Sequence, residues 1–183
     1  MKKIIILFIL ISSILIGSED NSNKSEFGLA AGPSIGYGLS FKTRLNQVFA
    51  VRFSGGVFNK QLNYSEHQDE NDNDLTYNIG IELDYSVKKS DYMDFYFSLG
   101  LVHAYESEYN YDYDYEQNRW VDEYFKDYDT RLVVGLGISR YFYDIISISI
   151  EAHQVFEYSI NASNNSKEFN IYPMLGITTG FLF

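Results

Sequence analysis

The stretch LTYNIGIELDYSV, residues 75–87, keeps a two-residue period over its whole length. Leu75, Tyr77, Ile79, Ile81, Leu83, Tyr85 and Val87 share one parity; Thr76, Asn78, Gly80, Glu82, Asp84 and Ser86 share the other. Successive side chains of a β-strand point to opposite faces, so the stretch reads as a strand with one apolar and one polar face. Which face meets water decides the fold.

The same alternation recurs. It runs through Ile146–Ile160, Leu132–Phe142, Phe95–Val102, Phe49–Ser54, Ile35–Arg44 and the ending IYPMLGITTGFLF, residues 171–183. With the short FGLAAG, residues 27–32, eight strands are expected and no amphipathic helix beyond Ser25. A chain of 183 residues with 17 Tyr, 14 Phe and 2 Pro suits a single β-rich domain. The absence of Cys excludes disulfides, thiolate metal sites and a Cys nucleophile.

Lys2 and Lys3 precede an apolar run from Ile4 to Ile16, too short for a spanning helix, with small residues after it. Residues 1–18 are therefore expected to be a secretory signal peptide and 19–183 the barrel domain. Losing Lys2 and Lys3 takes the net charge from −11 to −13, which argues against a nucleic-acid partner, whose phosphates need cations.

Connections alternate in length. Asn46–Gln47, Lys89–Asp94 and Tyr143–Ile145 are tight, whereas Ser65–Asp74 and Glu106–Asp129 are long and acidic. Short turns on one rim and long loops on the other suit an up-and-down transmembrane barrel. The polar parity is also small and charged in both signs. Its glycines include Gly28, Gly36, Gly80, Gly135, Gly137 and Gly180, and its charges are Lys42, Arg44, Arg52 and Arg131 against Glu26, Glu82, Asp84, Glu151 and Glu157. An eight-stranded barrel has room inside only for such a lining, and luminal charges would pair there with His153 into a polar plug. Aromatics gather at both strand ends, as in interfacial girdles. Phe41, Phe49, Tyr85, Tyr92, Phe95, Phe142, Phe181 and Phe183 lie toward the short turns, and Tyr64, Tyr77, Tyr105, Phe156, Tyr158 and Phe169 toward the long loops. A soluble, lipocalin-like ligand-binding barrel is the alternative with the faces reversed.

The signal segment, the glycine-dotted hairpin GLAAGPSIGYGLSF, the Gly-x-Gly strand cores and the terminal aromatic resemble the small eight-stranded outer-membrane barrels of Gram-negative-type bacteria. The resemblance covers the mature chain. It implies an outer-membrane location, contact with membrane lipid, and recognition of Gly176, Phe181 and Phe183 by the barrel-insertion machinery. The family includes structural anchors, adhesins and a few lipid-modifying enzymes, so it implies place more than task.

Candidate chemistry is sparse. Glu151, His153 and Glu157 share a face and could hold a metal or act as acid and base, but a salt-bridged plug is the simpler reading, with no catalytic residue, metal or cofactor expected. His103 faces outward without a Ser neighbour, and DENDND, residues 69–74, lacks the Gly and Glu of an EF-hand loop. The 106–129 segment carries nine acids against two bases, with Tyr109, Tyr111, Tyr113 and Tyr115 at alternate positions. That spacing predicts a β-ribbon continuing past the membrane, with Trp120 and Tyr124 near its tip offered to a host or surface ligand. Two residues sit awkwardly: Arg140 on the outward parity, placed at the interface, and Pro173 in the last strand, placed at a bulge or above the bilayer.

Overall fold

Alternation is realised as eight antiparallel strands: β1 Glu26–Gly32, β2 Gly36–Arg44, β3 Phe49–Lys60, β4 Asp74–Lys89, β5 Met93–Asp114, β6 Arg119–Phe142, β7 Ile146–Asn161 and β8 Ser166–Leu182. This computed structural model describes residues 25–33, 36–60, 74–114, 119–162 and 165–183. The expected signal segment, Tyr64, His67, residues 69–73 of the acidic loop and Tyr115 lie outside the described residues, as do the side chains of residues 108–125.

Each strand pairs with the next, and β8 returns to β1 to close the barrel. Followed around the ladder, the register passes Phe169, Tyr158, Thr130, His103, Ile79, Gly55, Leu39 and Leu29 and re-enters β8 at Thr179, ten residues further on. A stagger of ten over eight strands, at about 3.3 Å per residue and 4.8 Å between strands, tilts the strands by about 41°. That geometry leaves an interior only one side chain deep on each wall. In the three-residue β6–β7 connection, Tyr143 and Asp144 both have positive φ, 52° and 56°, and the Ile145 N–H donates to the Phe142 carbonyl at 3.0 Å, which closes a tight turn whose twist matches that of the strands.

The apolar face is outside. Ile79, Leu136 and Ile148 are 57%, 56% and 39% exposed, whereas Glu82 and Glu151 are 0% exposed. Exposed Leu, Ile, Val and Phe continue from strand to strand around the wall, far beyond the few hundred Å² that a soluble monomer leaves uncovered. The lipocalin-like arrangement, with greasy side chains around a central cavity, is therefore excluded. The aromatic ends also form on the outer surface. Phe49 meets Tyr85 at 5.3 Å between ring centroids on the short-turn side, and Tyr105 lies 5.2 Å from Tyr77 and 5.0 Å from Tyr128 on the other.

Strand heights are unequal. The β5–β6 ladder runs unbroken from Met93–Arg140 to Asp114–Arg119, so the expected ribbon exists, with Tyr109 opposite Tyr124 and Tyr113 opposite Trp120. The β1–β2 hairpin is short, and β1 pairs with β8 only from Leu182 to Ile177. This explains Pro173, for which the sequence offered either a bulge or a place above the bilayer. There is no bulge, since β7–β8 pairing is continuous through Gln154–Pro173. Phe183 exchanges both backbone hydrogen bonds with Ser25, while Leu182 donates to Ile145. Odd-numbered residues of β8 thus direct their N–H toward β1, and at Pro173 β1 has already ended, so the missing N–H costs no ladder bond. Arg140 is exposed at the short-turn end of β6, its guanidinium 5.3 Å from the Phe142 ring, on the outward face expected from its parity.

Candidate functional site: a charged plug across the lumen

Inward parity on eight tilted walls brings charges from distant parts of the chain into a central layer. Arg52 on β3 is 0% exposed, and its Nη1 donates at 2.6 Å to both Glu82 Oε1 on β4 and Glu151 Oε1 on β7. Tyr96, from β5, donates its hydroxyl to the same Glu151 oxygen at 2.6 Å. Lys42 on β2 pairs with Asp84 at 2.6 Å and lies 4.5 Å from the Tyr96 ring centroid. Arg52 Nη2 is 3.9 Å from Asp84. The two remaining carboxylate oxygens, Glu151 Oε2 and Glu82 Oε2, lie 3.7 and 3.9 Å from His153 Nε2, which also contacts Ser98 Oγ at 3.1 Å.

Glycine makes this crowding fit. A Cβ at Gly137 would fall 2.3 Å from Tyr96 Cζ, and one at Gly135 would fall 2.1 Å from His153 Cδ2. The alternation of Gly with bulky outward residues on β6 is thus the space into which two luminal rings fold.

Two smaller clusters flank the centre. Toward the short turns, Arg44 donates to Asp94 at 2.6 Å and to the Tyr141 hydroxyl at 2.8 Å, and Ser86 donates to the same Asp94 oxygen at 3.0 Å. Toward the long loops, Arg131 is bound to Glu157 and lies 3.2 Å from Asp129, while Tyr172 donates to Glu157 at 2.7 Å. Val102, Val133 and Val155, each 0% exposed, fill part of the lumen. A plugged bore is the physical consequence, because Lys42, Arg44, Arg52 and Arg131 each face a carboxylate placed to offset their desolvation.

All nine luminal residues expected from the sequence point inward, but they do not form one cluster. Lys42, Arg52, Glu82, Asp84, Glu151 and His153 meet at the centre, Arg44 stands at one end, and Arg131 with Glu157 at the other. The grouping of Glu151, His153 and Glu157 is therefore corrected: Glu157 belongs to Arg131 and Tyr172, and the second carboxylate beside His153 is Glu82, from another strand. Sequence reading passed over Asp94, Ser98 and Tyr141 as partners. Their inward parity was the only available signal. Ser98 and His153 do not make a nucleophile pair of the usual kind, since both carboxylates approach Nε2, the nitrogen facing Ser98, rather than Nδ1.

A closed eight-stranded wall, greasy outside and charged inside, admits one environment for its outer face. This is the architecture of the small outer-membrane β-barrels. No protein-family model and no curated protein sequence matches the chain. Among solved structures it is similar to Ail, the attachment invasion locus protein of Yersinia pestis, in complex with the heparin analogue sucrose octasulfate, with a TM-score of 0.42 and 13% identity over 88% of this chain and 97% of that one. Acinetobacter baumannii CarO gives 0.38 and 7%, covering 87% and 97%. The outer membrane protease OmpT from Escherichia coli gives 0.36 and 8%, covering 90% and 96%. These superpositions are loose, and the assignment of the fold rests on register, closure and the outward apolar belt.

Proposed function

We propose that this barrel is an outer-membrane surface-binding protein, exported by its N-terminal segment, with the short turns toward the periplasm and the β5–β6 ribbon outside the cell. The ribbon is the observation that carries the reading. A transmembrane strand needs about 9–11 residues, whereas β5 and β6 contain 22 and 24 in one unbroken ladder. The surplus of roughly a dozen residues per strand projects about 40 Å along the strand direction, measured at about 3.4 Å per residue. Such a hairpin adds nothing to a closed lumen, and its register sets Tyr109 opposite Tyr124 and Tyr113 opposite Trp120, residue types favoured in recognition surfaces.

Nine acids against two bases on the 106–129 segment disfavour a polyanionic ligand and favour a cationic or neutral one, such as a basic face of a host or neighbouring-cell protein. The terminal strand, with Gly176 turned inward and Phe181 and Phe183 on the outer surface, suits capture by the insertion machinery.

The test is deletion of residues 109–124 with a short turn in their place. Insertion and slower-or-faster gel migration before boiling, relative to the boiled sample, should persist while binding of cells or surface protein is lost. Full binding by the shortened barrel would reject the assignment.

A further inference from the structure

We propose that Glu82, Glu151 and His153 form a cross-lumen site for a divalent transition-metal ion with a mixed nitrogen and oxygen donor set, for which Zn²⁺ is the natural probe. This inference is independent of the ribbon and of any surface partner.

Geometry is the first argument. The donor atoms of these three buried residues lie within 4.8 Å of one another, and they form the one such group of His and acidic residues among the described residues. The imidazole Nε2 stands 3.7 Å from Glu151 Oε2 and 3.9 Å from Glu82 Oε2. Those separations are too long for hydrogen bonds between a protonated imidazole and a carboxylate, which close to about 2.7–2.9 Å. They stand just outside the spacing of ligands that share a tetrahedral ion, since donors about 2.0–2.2 Å from it are roughly 3.3–3.6 Å from each other, so an inward movement of a few tenths of an ångström closes the set on a metal.

Both glutamates are also oriented. Arg52 Nη1 holds the Oε1 atom of each glutamate at 2.6 Å, and Tyr96 reinforces Glu151 Oε1 at 2.6 Å, which turns both Oε2 atoms toward the imidazole. Outer hydrogen bonds that fix ligating carboxylates in this way, here from Arg52 and Tyr96, are the usual support of a metal site. Ser98 Oγ, 3.1 Å from Nε2, stands where a fourth donor or a bound water's partner would be.

Charge is the second, independent argument. The buried carboxylates among the described residues are Glu26, Glu82, Asp84, Asp94 and Glu151, against Lys42, Arg44 and Arg52 as buried cations. Asp94 belongs to Arg44 at the short-turn end, and at the centre Glu82, Asp84 and Glu151 stand against Lys42 and Arg52, a surplus of one negative charge that a bound cation offsets. A surplus of buried charge without compensation is expensive. The ion would also join β4 to β7, walls that are not neighbours in the sheet, and so brace the lumen from side to side.

The test uses the mature chain folded in detergent, with Zn²⁺ added either before folding or to the finished barrel, because the site lies inside a closed wall. Expected results are one tightly held Zn²⁺ per barrel after metal-present folding, resistance to brief chelator treatment, and a higher thermal midpoint than for chelator-folded protein. Co²⁺ in place of Zn²⁺ should give the visible absorption of a low-coordinate nitrogen and oxygen site. His153→Ala should weaken binding by more than about 100-fold, since loss of a hydrogen bond that merely supports a ligand already costs about 10–100-fold. Glu157→Gln, in the separate Arg131 cluster, should leave it unchanged. Should His153→Ala fail to fold, the stoichiometry and Co²⁺ spectrum of the unmodified chain still decide. Absence of stoichiometric metal in that chain, equal binding by a folded His153→Ala variant, or a midpoint that responds to pH and not to Zn²⁺ would each overturn the proposal; the last would mean that protonated His153 supplies the missing charge.

Discussion

Replacing Arg52 with methionine removes the cation on which the centre of the lumen converges while keeping most of the side-chain volume. Its Nη1 is 2.6 Å from both Glu82 and Glu151, and its Nη2 is 3.9 Å from Asp84. With an effective dielectric near 20, a unit pair at the shorter distance attracts by roughly 6 kcal/mol. Desolvation of the ions cancels much of that in the intact protein. Deletion of one partner is asymmetric, because the carboxylates stay buried and lose their compensation, and the expected loss is about 3–5 kcal/mol. Urea unfolding of the barrel in lipid vesicles, followed by the loss of far-ultraviolet β-sheet circular dichroism and by gel migration without boiling, measures it. The companion variant Arg52→Met/Glu82→Gln/Glu151→Gln removes the stranded charges and should recover more than half of the loss. A single variant within about 1 kcal/mol of the parent, or a triple variant less stable than the single one, would refute the premise that compensation of buried charge holds the plug together.

Other expectations follow from the outer wall and the seam. Ile81→Arg, midway between the Tyr77 and Tyr85 levels on the lipid face of β4, should cost about 2–4 kcal/mol in the same unfolding assay, while Tyr143→Arg in the exposed β6–β7 turn should cost about 0–1 kcal/mol; equal effects would contradict the proposed bilayer position. Gly28→Val should abolish the compact unboiled band, because a Cβ there meets the Thr179 carbonyl oxygen at 1.9 Å across the β1–β8 seam. Gly176→Ala, whose Cβ would be 3.3 Å from the end of the Glu151 side chain, should shift stability by only about 1 kcal/mol. Pro173→Ala should be neutral to within about 0.5 kcal/mol, since the N–H it restores faces a β8 edge that β1 does not reach; a large gain would show that this N–H direction is wrong.

From the sequence alone, strand number and the face of each residue could be read, because a period of two assigns parity without knowledge of any partner. Ile79 and Glu82 needed only their positions in LTYNIGIELDYSV to be sent to opposite sides. Even the ribbon was legible, since Tyr at alternate positions continues the strand period beyond any bilayer. Across the lumen parity says nothing, because which inward residues share a level depends on the stagger at which eight strands close. That stagger of ten residues is a property of the closed sheet, and it sets His153 beside Glu82, which is 71 positions away, while Glu157, four positions away on the same strand, is carried up to Arg131. The tolerance of Pro173 was decided the same way, by the height at which β1 ends on its neighbour. Local periodicity thus determined inside and outside; only the closed wall, through its shear, decided which charges meet.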